Sequence, residues 1–102
     1  MSGGYLLSPL ALADLSDIWD YSYSHWGADQ ADAYVLAIHA ACEALAQILA
    51  KGRSGGQSAE HIRTGYRKLL VGSHVIFFKC QAPDSVEVIR ILNQRMDVPA
   101  HL

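Results

Sequence analysis

YRKLLVGSHVIFFKCQAPDSVEVIRIL, residues 66–92, decides the fold. Three runs dense in β-branched and aromatic residues, Tyr66–Val71, His74–Cys80 and Val86–Leu92, are separated by Gly72-Ser73 and by Ala82-Pro83-Asp84-Ser85. Such runs between short turn sequences predict an antiparallel meander. The central run, Val75, Ile76, Phe77 and Phe78, is apolar on both faces, so both need cover. Period-two alternation in the last run sends Ile89 and Ile91 to one face and Val86, Val88, Arg90 and Leu92 to the other.

Upstream the period changes. Ser8-Pro9 offers a side-chain acceptor for orphan amides and a ring already near helical φ, so a helix begins there. Leu12, Leu15, Ile18, Trp19 and Trp26 follow on one face, with Asp14, Asp17 and Tyr21 opposite, until Gly27 stops the helix. Asp29 caps a second helix whose stripe runs Ala31, Tyr34, Ile38, Ala41, Cys42, Leu45, Ile48, Leu49, with Gly52 at its end. The segment KGRSGGQSAE, residues 51–60, lacks an apolar period and reads as a mobile connection. Helices precede strands, which is an α+β pattern. We expect one domain over 1–102: a short N-terminal strand, an antiparallel helical hairpin over about 9–51, a loop over about 52–62, a small, mostly antiparallel meander over about 66–92 and a tail over 93–102. The hairpin covers one sheet face. The other is expected to be an apolar floor, left for a partner, for self-association, or for the loop and tail folding back.

Charge divides the chain the same way. Residues 1–50 hold six carboxylates and no Lys or Arg, whereas 51–102 hold eight basic against four acidic groups, a split of −6 and +4 within a net charge of −2. A basic half points to an acidic or polyanionic partner. Its constellation is Arg63, Arg67 and Lys68 at the first meander strand, Arg90 in the last, and Arg95 beyond it. Guanidinium groups can clamp carboxylates or phosphates; exposed strand-edge cations can also simply discourage aggregation. The apolar start has no preceding positive charge and is broken by Pro9 and Asp14, so neither a secretory signal nor a membrane span is expected and the cytoplasm is the expected compartment. Cys42 and Cys80 both lie in apolar runs and read as reduced, buried thiols. The five histidines and two cysteines show no metal-ligand spacing, the glycine-rich loop lacks a phosphate-cradling G-K-[ST], and no nucleophile–base or carboxylate pair stands out. No catalytic residue, metal or cofactor is nominated.

LSPLALADLSDIWDYSYSHWG (7–27), IRTGYRKLLVGSHVIFFK (62–79) and VIRILNQRMDV (88–98), in this order, resemble the ParE toxins of the RelE/ParE superfamily of bacterial toxin–antitoxin systems. Gly72-Ser73-His74-Val75-Ile76-Phe77 and Gln94-Arg95-Met96-Asp97-Val98 carry the likeness most specifically. The resemblance implies a non-enzymatic inhibitor of DNA gyrase, neutralised by a ParD-like antitoxin whose disordered tail folds onto it, with no sequence-specific nucleic-acid contact of its own. It assigns target binding to Arg90, Gln94, Arg95, Met96 and Asp97. Antitoxin binding falls to Leu15, Trp19, Arg63, Arg67, Lys68, Val75, Phe77, Val88 and Arg90. Two features depart from the family pattern: Asn93 stands where a His is usual before Gln-Arg-Met-Asp, and the Gly-Ser loop replaces an Asn-Pro connection. The alternatives are a RelE-like ribosome-dependent mRNA endonuclease, with Arg63, Arg67, Lys68 and Arg90 around the scissile phosphate and His74 as acid or base, or an inactive module that only binds an antitoxin.

Overall fold

The computed structural model describes residues 4–81, 85–96 and 102. The elements run β1 (Gly4–Leu7), α1 (Pro9–Trp26), α2 (Ala28–Ala50), β2 (Gln57–Ser58), β3 (Arg67–Val71), β4 (His74–Gln81) and β5 (Ser85–Asn93). One sheet in the order β1-β5-β4-β3-β2 holds all five strands, antiparallel except where β1 runs parallel to β5. Two helices on a mixed sheet give the expected α+β architecture. The Ala82-Pro83-Asp84 part of the expected turn lies outside the described residues.

Ser8 starts α1 and joins it to the sheet. Its Oγ accepts the Ala11 amide at 3.0 Å, the N-cap bond that Ser8-Pro9 promised, and donates to the Ile89 carbonyl at 2.6 Å. Gly27, at φ +89°, ends α1 and is itself the N-cap of α2. Asp29 is therefore not the cap; it lies in the first turn, where its charge complements the helix dipole. With one residue between them, the helices turn back without a loop. By length and composition α2 is apolar enough to cross a membrane, but its Ala31, Ile38, Cys42, Leu45 and Ala46 stripe is buried in the fold.

The stripe on α1 is Ala11, Leu15, Ile18 and Ser22; Leu12 and Trp26, expected inside, are 55% and 63% exposed. Small residues occupy both ends of the buried row, consistent with close approach of the helix to its neighbours. On the sheet, Ile76, Phe78, Val86, Val88 and Ile91 join Ile38, Cys42 and Leu45 in the helix-side core. The expected alternation in β5 fails at one place. Phe77 pairs with Arg90 but Phe78 pairs with Val88, so Ile89 is an extra residue, and this bulge resets the parity. Val86 and Val88 thus join Ile91 under the helices, while Leu92 turns to the opposite face.

That opposite face is roofed. Val75, Phe77 and Leu92 are 8%, 1% and 1% exposed, covered by Ala59, Ile62, Tyr66 and Leu102. The expected bare floor is thus corrected in favour of fold-back. The connection is also more structured than its Gly/Ser content suggests. Gln57 and Ser58 pair with Lys68 and Arg67 as β2, and Ala59 closes a turn by donating to the Tyr66 carbonyl at 2.8 Å. Arg67 holds the approach, donating from Nε to Gly55 O at 3.0 Å and from Nη2 to Gly56 O at 3.2 Å.

β1 ends opposite Val88, and among the described residues the rest of that β5 edge has no strand neighbour. Asp14 covers it. Its carboxylate takes Arg90 bidentately, 2.8 Å to both Nε and Nη2, and also accepts the Ile91 backbone amide at 2.9 Å. The two side chains are 16% and 11% exposed, so the pair is poorly screened. Hydrogen bonding to Asp14 raises the Arg90 pKa further above its ordinary value, outweighing burial.

Replacing Asp14 by Ala removes the bidentate acceptor of a partly buried guanidinium and the acceptor of an edge amide, which should cost about 2–3 kcal/mol. For a domain of this size that lowers Tm by roughly 10–20 °C, measurable by thermal unfolding. Asp14→Asn, which keeps an acceptor, should lose less. Thiol chemistry checks the burial pattern. Cys42 is buried, with burial pushing its thiol up to about 11, whereas Cys80 is exposed, contrary to expectation. One equivalent of a thiol reagent should react rapidly at pH 8, at Cys80, and a second only on unfolding; two fast equivalents would contradict this packing.

Candidate functional site

Where α1, α2, the β3–β4 turn and the end of β5 meet, the surface opens into a groove of about 1080 Å³. Its lining includes Ile18, Tyr21 and Trp26 from α1, Tyr34 from α2, Gly72, Ser73 and His74 from the turn, and Asn93, Gln94, Arg95 and Met96 after β5. The three described tail residues of the expected target-binding set, Gln94, Arg95 and Met96, therefore meet in one place. Asp97 lies outside the described residues. Arg90 is committed to Asp14, so it shapes this end of β5 and does not stand free as a cationic anchor.

Local chemistry fixes the shape of 93–96. The Asn93 side-chain oxygen accepts the Arg95 amide at 2.9 Å and its carbonyl accepts the Met96 amide at 3.0 Å. An Asx turn of this kind is what an Asn does well, so Asn93 shapes the backbone here. Gln94 anchors the turn to its neighbour: its amide donates to Ser73 O at 3.0 Å and its Nε2 to Gly72 O at 3.1 Å. Arg95 and Met96 are left exposed at the rim, and Arg95 has no acidic partner among the described residues.

The neighbouring Gly72-Ser73 turn has its own constraint. Gly72 has φ +59° at the first central position of a two-residue hairpin, which fits a type II′ turn, and a Cβ there would stand 2.6 Å from the Tyr34 hydroxyl. That hydroxyl accepts the Ser73 amide at 3.1 Å and lies 2.6 Å from His74 Nδ1, against 3.3 Å to Val71 O. A phenol has one proton to give: with Nδ1 protonated the hydroxyl accepts from it and donates to Val71 O, and with Nδ1 bare it donates to Nδ1 instead, so the contact holds in either tautomer. Burial lowers the His74 pKa below its ordinary value, with the Asp14 charge acting weakly the other way.

The opposite wall is aromatic. Tyr21 stacks on His25 with ring centroids 3.9 Å apart and meets Trp26 edge-on at 6.0 Å; Tyr21 and Trp26 are 58% and 63% exposed. Exposed Trp, Tyr, Arg and Met side chains around one depression are the composition of an interface centre. Sequence periodicity assigned Tyr21 to a polar face and Trp26 to the core. The aromatic density of YSYSHW (21–26), at the point where the α1 stripe fails, is the signal that marks them.

The expected antitoxin-binding set divides. Leu15, Val75, Phe77 and Val88 are buried in the two cores and offer no surface to a partner. Trp19 is partly exposed, stacked on Tyr23 and donating to Asp32 at 2.8 Å. Arg63 donates to Leu102 O at 2.8 Å, Arg67 holds the Gly55 and Gly56 carbonyls, and Lys68 is half-buried on β3. Lys68 and Arg90 flank Phe77 from either side in the ladder, but the Arg90 guanidinium is turned to Asp14, so the four cations do not converge as a phosphate clamp. Among the described residues, no group of three or more His, Cys, Asp or Glu side chains is placed to hold a metal ion.

A family model for the ParE toxin of the type II toxin–antitoxin system parDE matches residues 5–98. The chain belongs to the ParE toxin family. Toxin ParE1 of Mycobacterium tuberculosis (strain H37Rv) is 44% identical over 102 residues, covering the whole of both chains. Toxin ParE1 of Caulobacter vibrioides is 43% identical over 98 residues, 96% of each chain. Among solved structures, one described as the chromosomal ParDE TA system from P. aeruginosa matches with a TM-score of 0.71 over 90% of this chain and 96% of that chain. At 20% identity that likeness shows the fold alone. This ParE-family chain is thus a toxin of the type II toxin–antitoxin class, and its groove lies within the matched span.

The lowered His74 pKa carries a pH signature. Between the folded value and about 6.5 the unfolded chain binds the proton more readily, so stability is full above about pH 6.5 and is lost as pH falls through the folded value. The difference in unfolding free energy between the parent and His74→Gln should therefore change across that window and be flat above it. A difference independent of pH from 5 to 8 would contradict the assignment.

Proposed function

We propose that this ParE-family toxin inhibits DNA gyrase by binding and not by chemistry of its own, and that a ParD-like antitoxin neutralises it in the cytoplasm. The observation that carries the reading is the groove. It brings Gln94, Arg95 and Met96, the residues that the family resemblance assigns to the target, against the exposed aromatics Tyr21 and Trp26. A poison of this type needs a rigid contact surface, and the Asn93 and Gln94 hydrogen bonds preorganise one. Asp97 completes the proposed target set.

The antitoxin reading rests on the family and on positive charge outside the groove lining. Lys68, Arg63 and Arg67 gather at β3 and the loop before it, while Lys79 lies 5.9 Å from the Tyr66 ring centroid. An acidic segment would find complementary charge there, with Trp19 as an aromatic contact on the hairpin. The RelE-like reading draws less support, because Arg90 is neutralised and His74 is held by Tyr34.

Supercoiling by purified gyrase on relaxed plasmid tests the proposal. The toxin should inhibit it, Arg95→Ala with Met96→Ala should weaken inhibition at least tenfold without lowering Tm, and cognate antitoxin should restore activity. Undiminished supercoiling at saturating toxin, with no trapped cleavage complex, would overturn the reading.

A further inference from the structure

Tyr34 lies on α2, remote in sequence from both turns of the groove, yet its hydroxyl is where they are tied to the helical layer. It holds Ser73 N–H and His74 Nδ1, and its ring fills the space that only a glycine at 72 leaves open. The turn it fixes presents the two carbonyls, Gly72 O and Ser73 O, that hold Gln94 by side chain and backbone. From Gln94 the path continues through the Asn93 turn to Arg95 and Met96. Every link is a hydrogen bond or a van der Waals stop, and among the described residues no other helical side chain is hydrogen-bonded to the 72–74 turn.

We propose that Tyr34 is the positioning residue of the target-binding turn: its hydroxyl sets the 72–74 turn, and through it the placement of Arg95 and Met96. The functional half of this inference rests on the gyrase reading; the structural half does not. The molecule supplies its own control. Tyr5 also spans from sheet to α2 through a tyrosine hydroxyl on a histidine, 2.7 Å from His39 Nδ1, but at β1 and outside the groove lining. Removing either hydroxyl deletes one Tyr–His hydrogen bond and keeps the ring; at Tyr34 the Ser73 amide loses its acceptor too, so Tyr34→Phe should cost somewhat more stability, and the comparison turns on where exchange quickens and not on the size of the loss.

The test compares Tyr34→Phe with Tyr5→Phe in the full chain, by amide hydrogen exchange and by inhibition of gyrase supercoiling. We expect the Ser73 and Gln94 amides to exchange at least tenfold faster in Tyr34→Phe and unchanged in Tyr5→Phe, and the inhibitory concentration to rise at least fivefold in the first variant alone. Gly72→Ala, which drives a methyl into the hydroxyl, should reproduce the Tyr34→Phe pattern. Unchanged Gln94 exchange in Tyr34→Phe, equal loosening in both tyrosine variants, or loosening with full inhibitory potency would each overturn the proposal. A parent protein that fails to inhibit gyrase would sink the functional reading separately, and the exchange comparison would still decide whether Tyr34 sets the turn.

Discussion

The carboxylate of Asp14 does what a sixth strand would otherwise have to do. β1 stops opposite Val88, and past that point the outer edge of β5 would expose backbone donors to water or to another chain. Asp14 takes the Ile91 amide and the Arg90 guanidinium together, while Ser8, six residues earlier, takes the Ile89 carbonyl. The first turns of α1 are thereby fastened along the strand edge, and the hairpin lies over the sheet at a fixed angle. Because Asn93 to Met96 leave β5 just beyond this clamp, the same contact determines where the groove's floor meets its helical wall.

The clamp also changes the meaning of the charge split. From sequence, an acidic first half and a basic second half suggest an arginine-rich surface awaiting an external anion. In the folded chain Arg90 is matched to Asp14 and Arg67 to loop carbonyls, so part of the basic set holds the fold together. The apolar far face tells the same story. Ala59, Ile62, Tyr66 and Leu102 cover Val75, Phe77 and Leu92. Membership of the ParE family therefore stands on the sequence match over residues 5–98, not on a bare sheet face, and the surfaces proposed for partners are the groove and the remaining exposed cations.

Much of the architecture was legible because local chemistry and global packing agree in those segments. Ser8-Pro9, Gly27 and Gly72-Ser73 mark their boundaries by backbone preference alone, and the α2 stripe follows the helical period closely. The misses have physical causes. A single bulge at Ile89 inverts side-chain direction for the rest of β5, and nothing in VEVIRIL announces an extra residue. The roof uses small or isolated apolar residues, Ala59 and Ile62, inside a Gly/Ser-rich stretch with no period to read. At the site, Gln94, Arg95 and Met96 were accessible through family likeness, whereas Tyr21, Trp26 and Tyr34 join them only through tertiary packing.

The target surface proposed for the toxin is one groove, built by α1, α2 and the two turns. Hydrogen–deuterium exchange of the toxin, free and bound to gyrase, locates the contact. New protection should be confined to the peptides spanning 21–34, 72–74 and 93–96, with β3 and the 59–66 loop unchanged. Protection centred on 59–71 with the 93–96 turn still exchanging freely would contradict it.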